Sequence, residues 1–122
     1  MRKVVMIAVM GVLLVLMVSS VATARTVVNC TGGDCFGTEG RDRIHESSIN
    51  DNIFGLGGRD KIKAQTFGGF ADFVDSGRGK DRVNTADGDT LDTVECSKGD
   101  RIRVDRGDEV DNRKACEKIV KE

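Results

Sequence analysis

The 122 residues contain no proline, tryptophan or tyrosine, five phenylalanines and a single histidine, His45. With so few bulky apolar side chains and 32% charged residues, a conventional globular core is hard to build. Some other source of stability is required. The cysteine spacings include no C-x-x-C pair, and His45 lies far from them in sequence, which disfavours zinc. Ser47-Ser48 has no paired base, and no stretch suggests a pocket. The chain therefore reads as a non-enzyme with no small-molecule substrate.

Residues 1–24 look like a signal peptide. A basic start at Arg2-Lys3 precedes the apolar run "VVMIAVMGVLLVLMV", and Ala22-Thr23-Ala24 supplies small residues for cleavage. The run is short for a retained membrane span. This predicts a secreted or surface-associated protein with no stable membrane insertion after cleavage. Setting Arg2 and Lys3 aside moves the formal charge from −1 to −3. The remainder is one small domain. Its four cysteines, Cys30, Cys35, Cys96 and Cys116, suggest disulfides in an exported chain. Of three pairings, loop proximity favours Cys30–Cys35 and Cys96–Cys116, clamping both ends. The expected division is an N-terminal cap at 25–36, a repeat region at 37–111 and a C-terminal cap at 112–122. In that last cap "RKACEKIVKE" forms a brief helix or strand.

The repeat is Asp-x-(Ile/Val). It starts at Asp42, Asp51, Asp60, Asp72, Asp81, Asp92, Asp100 and Asp108, in steps of 9, 9, 12, 9, 11, 8 and 8 residues. Glycine-rich turns precede most copies, as in "GTEGRD" and "GLGGRD". Glycines permit a tight turn. The tail is a very short strand with its branched residue pointing inward. Two units make one coil, and alternate strands build two separate parallel sheets. Burying one Ile or Val yields only ~1.5–3 kcal/mol, against ~1–2 kcal/mol of backbone entropy per ordered residue. The aliphatic core alone is thin. Stacking also sets the carboxylates in two columns, where like charges repel. A hard divalent cation between turns removes the repulsion, and Ca2+ accepts both carboxylates and turn carbonyls.

The unit resembles the RTX, or haemolysin-type, calcium-binding nonapeptide G-G-x-G-x-D-x-U-x, where U is a large aliphatic. "GLGGRDKIK" at 55–63 and "SGRGKDRVN" at 76–84 are the nearest matches. The resemblance implies an all-β fold, a parallel β-roll of about eight nonapeptide-like units. It implies Ca2+ ligation by the eight aspartates and by the backbone of Gly37, Gly40, Gly55, Gly57, Gly58, Gly77 and Gly79. "ESSINDNIF" lacks the glycine and "DGDTLDTVE" replaces it with Thr90-Leu91, which points to weak or empty sites there. Asp100 and Asp108 sit in shortened units and serve as end caps. The implied function is an exported, calcium-folded surface or matrix module. The alternative is a metal-independent adhesin or wall-binding module.

Sorting units by parity separates the charges. One sheet turns Arg43, His45, Lys61, Lys63, Arg82, Arg101 and Arg103 outward; the other shows Asn52, Phe54, Phe73, Asp75, Glu95 and Asp111. The plainer reading is that cations balance the aspartates and keep the surface soluble. The sharper one is an anion-binding face for an anionic surface polymer. It lacks the interleaved aromatics that single-stranded nucleic acid needs. The basic neighbours Arg41, Arg59 and Lys80 should weaken Ca2+ binding beside them.

Overall fold

The computed structural model describes residues 24–65 and 69–122; residues 1–23 of the expected signal segment lie outside it. The strands are β1 (Thr26–Asn29), β2 (Gly33–Phe36), β3 (Asp42–His45), β4 (Asp51–Phe54), β5 (Gly57–Gly58) and β6 (Lys61–Lys63). They continue as β7 (Phe73–Asp75), β8 (Arg78–Gly79), β9 (Arg82–Asn84), β10 (Thr93–Glu95), β11 (Arg101–Val104), β12 (Glu109–Asp111) and β13 (Lys118–Lys121).

The chain winds as a parallel β-solenoid. One sheet has the order β1-β3-β6-β9-β11-β13, the other β12-β10-β7-β4-β2. Alternate repeats fall into separate sheets, because each unit spans one turn and one strand. The solenoid extends beyond the eight repeats: β1, β2 and β13 carry no Asp-x-(Ile/Val) mark yet pair in register. Val28 lies opposite Ile44, Cys35 opposite Ile53 and Ile119 opposite Ile102. Each brings an inward side chain that continues the interior file, so both end segments become coils. The tail after Cys116 is a strand. Among the described residues there is no helix, and hence none able to cross a membrane.

Two files of branched residues fill the interior. Ile44, Ile62, Val83 and Ile102 line one sheet; Ile53, Val74, Val94 and Val110 line the other, all buried. A further inward position follows two residues after most of them. Ala64, Thr85 and Val104 occupy it at one edge, Ser76 and Cys96 at the other, all buried. The space narrows where the chain turns, so these side chains are small or compact.

A third, two-stranded ladder, β5-β8, joins successive glycine-rich turns. Gly58 (φ 105°) and Gly79 (φ 144°) take conformations that other residues rarely adopt. A Cβ on Gly58 would run into the Gly40 carbonyl, and one on Gly79 into the Gly58 carbonyl. Disulfides Cys30–Cys35 and Cys96–Cys116 close the two ends, with Cα separations of 5.5 and 5.6 Å, as loop proximity predicts.

Candidate metal centre

The solenoid sorts the eight aspartates into two columns. Asp42, Asp60, Asp81 and Asp100 follow the glycine-rich turns; Asp51, Asp72, Asp92 and Asp108 follow the turns at the opposite edge. All eight are buried, with at most 3% relative exposure. They point inward because they stand two residues before the core Ile or Val, on the same side of the pleat.

One oxygen of seven of the eight carboxylates links neighbouring coils; the Asp42 carboxylate, in the first unit, bonds only to Thr38 of its own turn among the described residues. The N–H of Asp42 donates to Asp60 Oδ1 at 2.9 Å, that of Asp60 to Asp81 Oδ1 at 2.7 Å and that of Asp81 to Asp100 Oδ1 at 2.9 Å. On the other edge the N–H groups of Gly32, Asp51 and Asp72 donate to Asp51, Asp72 and Asp92 Oδ1, each at 2.9 Å. Asp92 N–H meets Asp108 Oδ1 at 3.4 Å. A carboxylate accepting an N–H makes a charge-assisted bond. The columns are therefore tied together by the protein itself, in addition to any ion, which the expectation from repulsion alone leaves out.

The second oxygens of seven of the eight fall into two classes. Asp42 Oδ2 accepts Thr38 N–H at 2.6 Å and Thr38 Oγ1–H at 3.0 Å. Asp51 Oδ2 accepts Ser47 N–H at 2.6 Å and its hydroxyl at 2.9 Å. Asp100 Oδ2 accepts Ser97 N–H at 2.8 Å and Ser76 Oγ–H at 2.7 Å. Asp108 Oδ2 accepts Asp105 N–H at 2.8 Å and Thr85 Oγ1–H at 3.2 Å. Asp60, Asp81 and Asp92 differ: their Oδ2 atoms are buried with no hydrogen-bond partner among the described residues. Where Asp42 and Asp51 have a hydroxyl residue four positions earlier, these three have Leu56, Gly77 and Gly88.

A buried, unpartnered carboxylate oxygen is costly as an anion. Burial, reinforced by neighbouring carboxylates and opposed by the N–H bonds, pushes Asp60 up to about 6, Asp81 to about 7 and Asp92 to about 8. Ionising all three near neutral pH calls for a counter-charge. The surroundings of Asp60 suit a hard cation. Its Oδ2 and the Ser76 carbonyl oxygen both converge on the space a Cβ at Gly55 would fill. Carboxylate and carbonyl oxygens are calcium's ordinary ligands.

Asp92 belongs to a further group that the repeat pattern passes over. Asp87, Asp89 and Asp92 each present a carboxylate oxygen, all within 4.8 Å of one another, an arrangement able to hold a metal ion. Asp87 Oδ1 accepts Asp89 N–H and Asp89 Oδ1 accepts Leu91 N–H, both at 3.0 Å, while Asp89 Oδ2 is buried with no partner among the described residues. Burial also raises the Asp87 carboxyl, and Asp89, Asp105 and Asp108 add to it. Asp87 and Asp89 lie in the insertion "TADGDTLD", outside the Asp-x-(Ile/Val) frame. The run of three acids in six residues was the available signal. This insertion, lacking the motif glycine, brings three acids together among the described residues.

The outward cations also fall into columns. Arg43, Lys61, Arg82, Arg101 and Lys118 stand opposite one another in successive strands, and in the file beside them Lys63 and Arg103 alternate with His45 and Asn84. On the other sheet Phe36 stacks on Phe54 at 5.1 Å, and Phe54 meets Phe73 at 6.0 Å. The two disulfides fit an oxidising location. Comparison with protein-family models, curated proteins and solved structures finds no match to this chain.

Proposed function

We propose that this is an exported, RTX-like calcium-binding solenoid that Ca2+ stabilises outside the cell, where it serves as a surface or matrix module. The carrying observation is the set of buried, unpartnered Oδ2 atoms on Asp60, Asp81 and Asp92. They occur in units whose turns offer carbonyl oxygens or further carboxylates and no hydroxyl cap. Ca2+ suits oxygen-only donors at irregular geometry, whereas Mg2+ demands a stricter octahedron and soft metals prefer nitrogen or sulfur. Low cytosolic calcium would leave those charges uncompensated, and extracellular calcium would complete the fold. The leader-like sequence at 1–24 and the disulfides support export.

A second reading has its own support. The N–H···Oδ1 ladder and the two disulfides are means of holding coils without metal, as a purely structural wall-binding or adhesive module would need. Thermal unfolding by circular dichroism, in EGTA and in millimolar Ca2+, separates the two. A calcium-dependent gain of strand signal and a higher midpoint support the first. Identical curves leave the second.

A further inference from the structure

A groove of ≈ 410 Å³ runs beside the glycine-rich edge. One bank consists of Arg41, Arg59 and Lys80, each the residue before a buried aspartate. The other consists of Lys61, Arg82 and Arg101, each the residue after one. All six are exposed. Lys61, Arg82 and Arg101 stand in register on adjacent strands, so a cation recurs every ~4.8 Å. Like charges at that spacing repel. Among the described residues only Arg101 of these six is in an ion pair, with Glu117 at 2.7 Å, at the C-terminal end of the groove. Solubility is served by scattered charge of both signs and does not call for two facing rows of one sign.

We infer that this groove binds a linear phosphodiester polyanion laid across the coils, with its charges between the two cationic banks. The argument rests on shape, charge and lining. A regular row of fixed charges fits a polymer with regularly spaced charges better than a single anion. Arginine's planar fork matches phosphate oxygens, and lysine adds point charge. No apolar or aromatic side chain lines the groove; besides the six cations it holds Arg25, Gly99 and the carboxylates of Asp60, Asp81 and Glu117, so seven cations stand over three acids. The described Phe36, Phe54 and Phe73 interact on the opposite sheet. Nucleobases and sugar rings thus find no stacking platform, and a bilayer finds nothing to insert. What remains is recognition of a charged backbone, which does not require bound calcium.

The test uses a fluorescent abasic phosphodiester oligomer titrated by anisotropy against the oxidised protein at low salt, once in EGTA and once in millimolar Ca2+. Circular dichroism of the same samples confirms the fold. Binding is expected, with Arg41→Gln/Arg59→Gln/Lys80→Gln at least tenfold weaker and Arg106→Gln, at the opposite edge, unchanged. Salt dependence falls at roughly 0.7 per phosphate contact for a single strand, so the triple variant should lose about 2 from that slope. An oligothymidylate of equal length should bind equally well. Equal binding by wild type and triple variant overturns the inference. So does absence of binding by a folded sample, or stronger binding to a carboxylate polymer or to anionic vesicles. None of these outcomes bears on calcium, which is read separately by the chelator comparison.

Discussion

Thr38 and Leu56 occupy the same place in two turns of equal length, "GTEGRD" and "GLGGRD", yet treat the following aspartate oppositely. Thr38 donates both its N–H and its hydroxyl to Asp42, whereas the Oδ2 of Asp60, four residues after Leu56, is buried without a partner. Leu56 also has φ 70°, in the left-handed region that a leucine seldom adopts. One side chain and its backbone conformation thus decide whether a unit closes on itself or stays open to a cation.

Exchanging that side chain should therefore move a site. Leu56→Ser, with Gly57 kept because a Cβ there would meet the Glu39 carboxylate, offers Asp60 the hydroxyl that Thr38 gives Asp42. The expected result is a metal-free protein more stable by about 1 kcal/mol, since a buried oxygen gains a hydrogen bond. It should also bind less Ca2+. Chemical denaturation in EGTA and a calcium titration check the two parts.

Asp81 has two separable jobs. Its Oδ1 accepts the Asp60 N–H at 2.7 Å, and its Oδ2 has no partner. Asp81→Asn keeps an acceptor for that N–H and removes the charge, so it should leave stability in EGTA unchanged or higher while lowering the calcium response. Asp81→Ala orphans a buried N–H and should cost roughly 1–3 kcal/mol with or without metal. Urea midpoints for both variants, each with and without Ca2+, distinguish the ladder from the ion.

The same carboxylates set a pH dependence. Asp60, Asp81 and Asp92 are raised from 3.8 to about 6, 7 and 8. A raised acid stabilises the fold fully while both states are protonated, below about pH 4, and loses that contribution as pH climbs through its folded value. Metal-depleted protein should therefore unfold more easily at pH 8.5 than at pH 5.5. Added Ca2+ should restore more at pH 8.5, where it does not compete with protons. Urea midpoints across that range provide the check; a calcium-free midpoint that rises with pH contradicts it.

The two clamps should differ in strength. Cys96–Cys116 closes a separation of 20 residues and Cys30–Cys35 one of 5. Chain entropy favours the longer loop, for which about 3 kcal/mol is expected. Replacing Cys96 and Cys116 by serine should lower the thermal midpoint more than replacing Cys30 and Cys35.

The coil itself was legible because period and chemistry coincide in Asp-x-(Ile/Val). Ile44, Ile62, Val83 and Ile102 had to share one side, and the aspartates two residues earlier had to share it with them. The cysteine pairs followed from proximity. The end strands were less legible: Val28 and Ile119 continue the core file but lack the aspartate that marks a repeat. The state of each carboxylate depended on the turn before it. Asp42 sits in a glycine-rich unit, yet Thr38 caps it, and the same capping by Ser47 closes Asp51. Asp87 and Asp89 stayed hidden because they fall in an insertion, where spacing carries no information about neighbours brought together by the turn.

The most direct measurement is a calorimetric calcium titration of the oxidised, metal-depleted protein at pH 8, beside Asp60→Asn/Asp81→Asn/Asp92→Asn. Saturable Ca2+ binding by the parent, lost in the triple variant while its strand signal persists, is the predicted result. No heat beyond dilution from a folded parent, or equal binding by the variant, would contradict the assignment of these three carboxylates as calcium ligands.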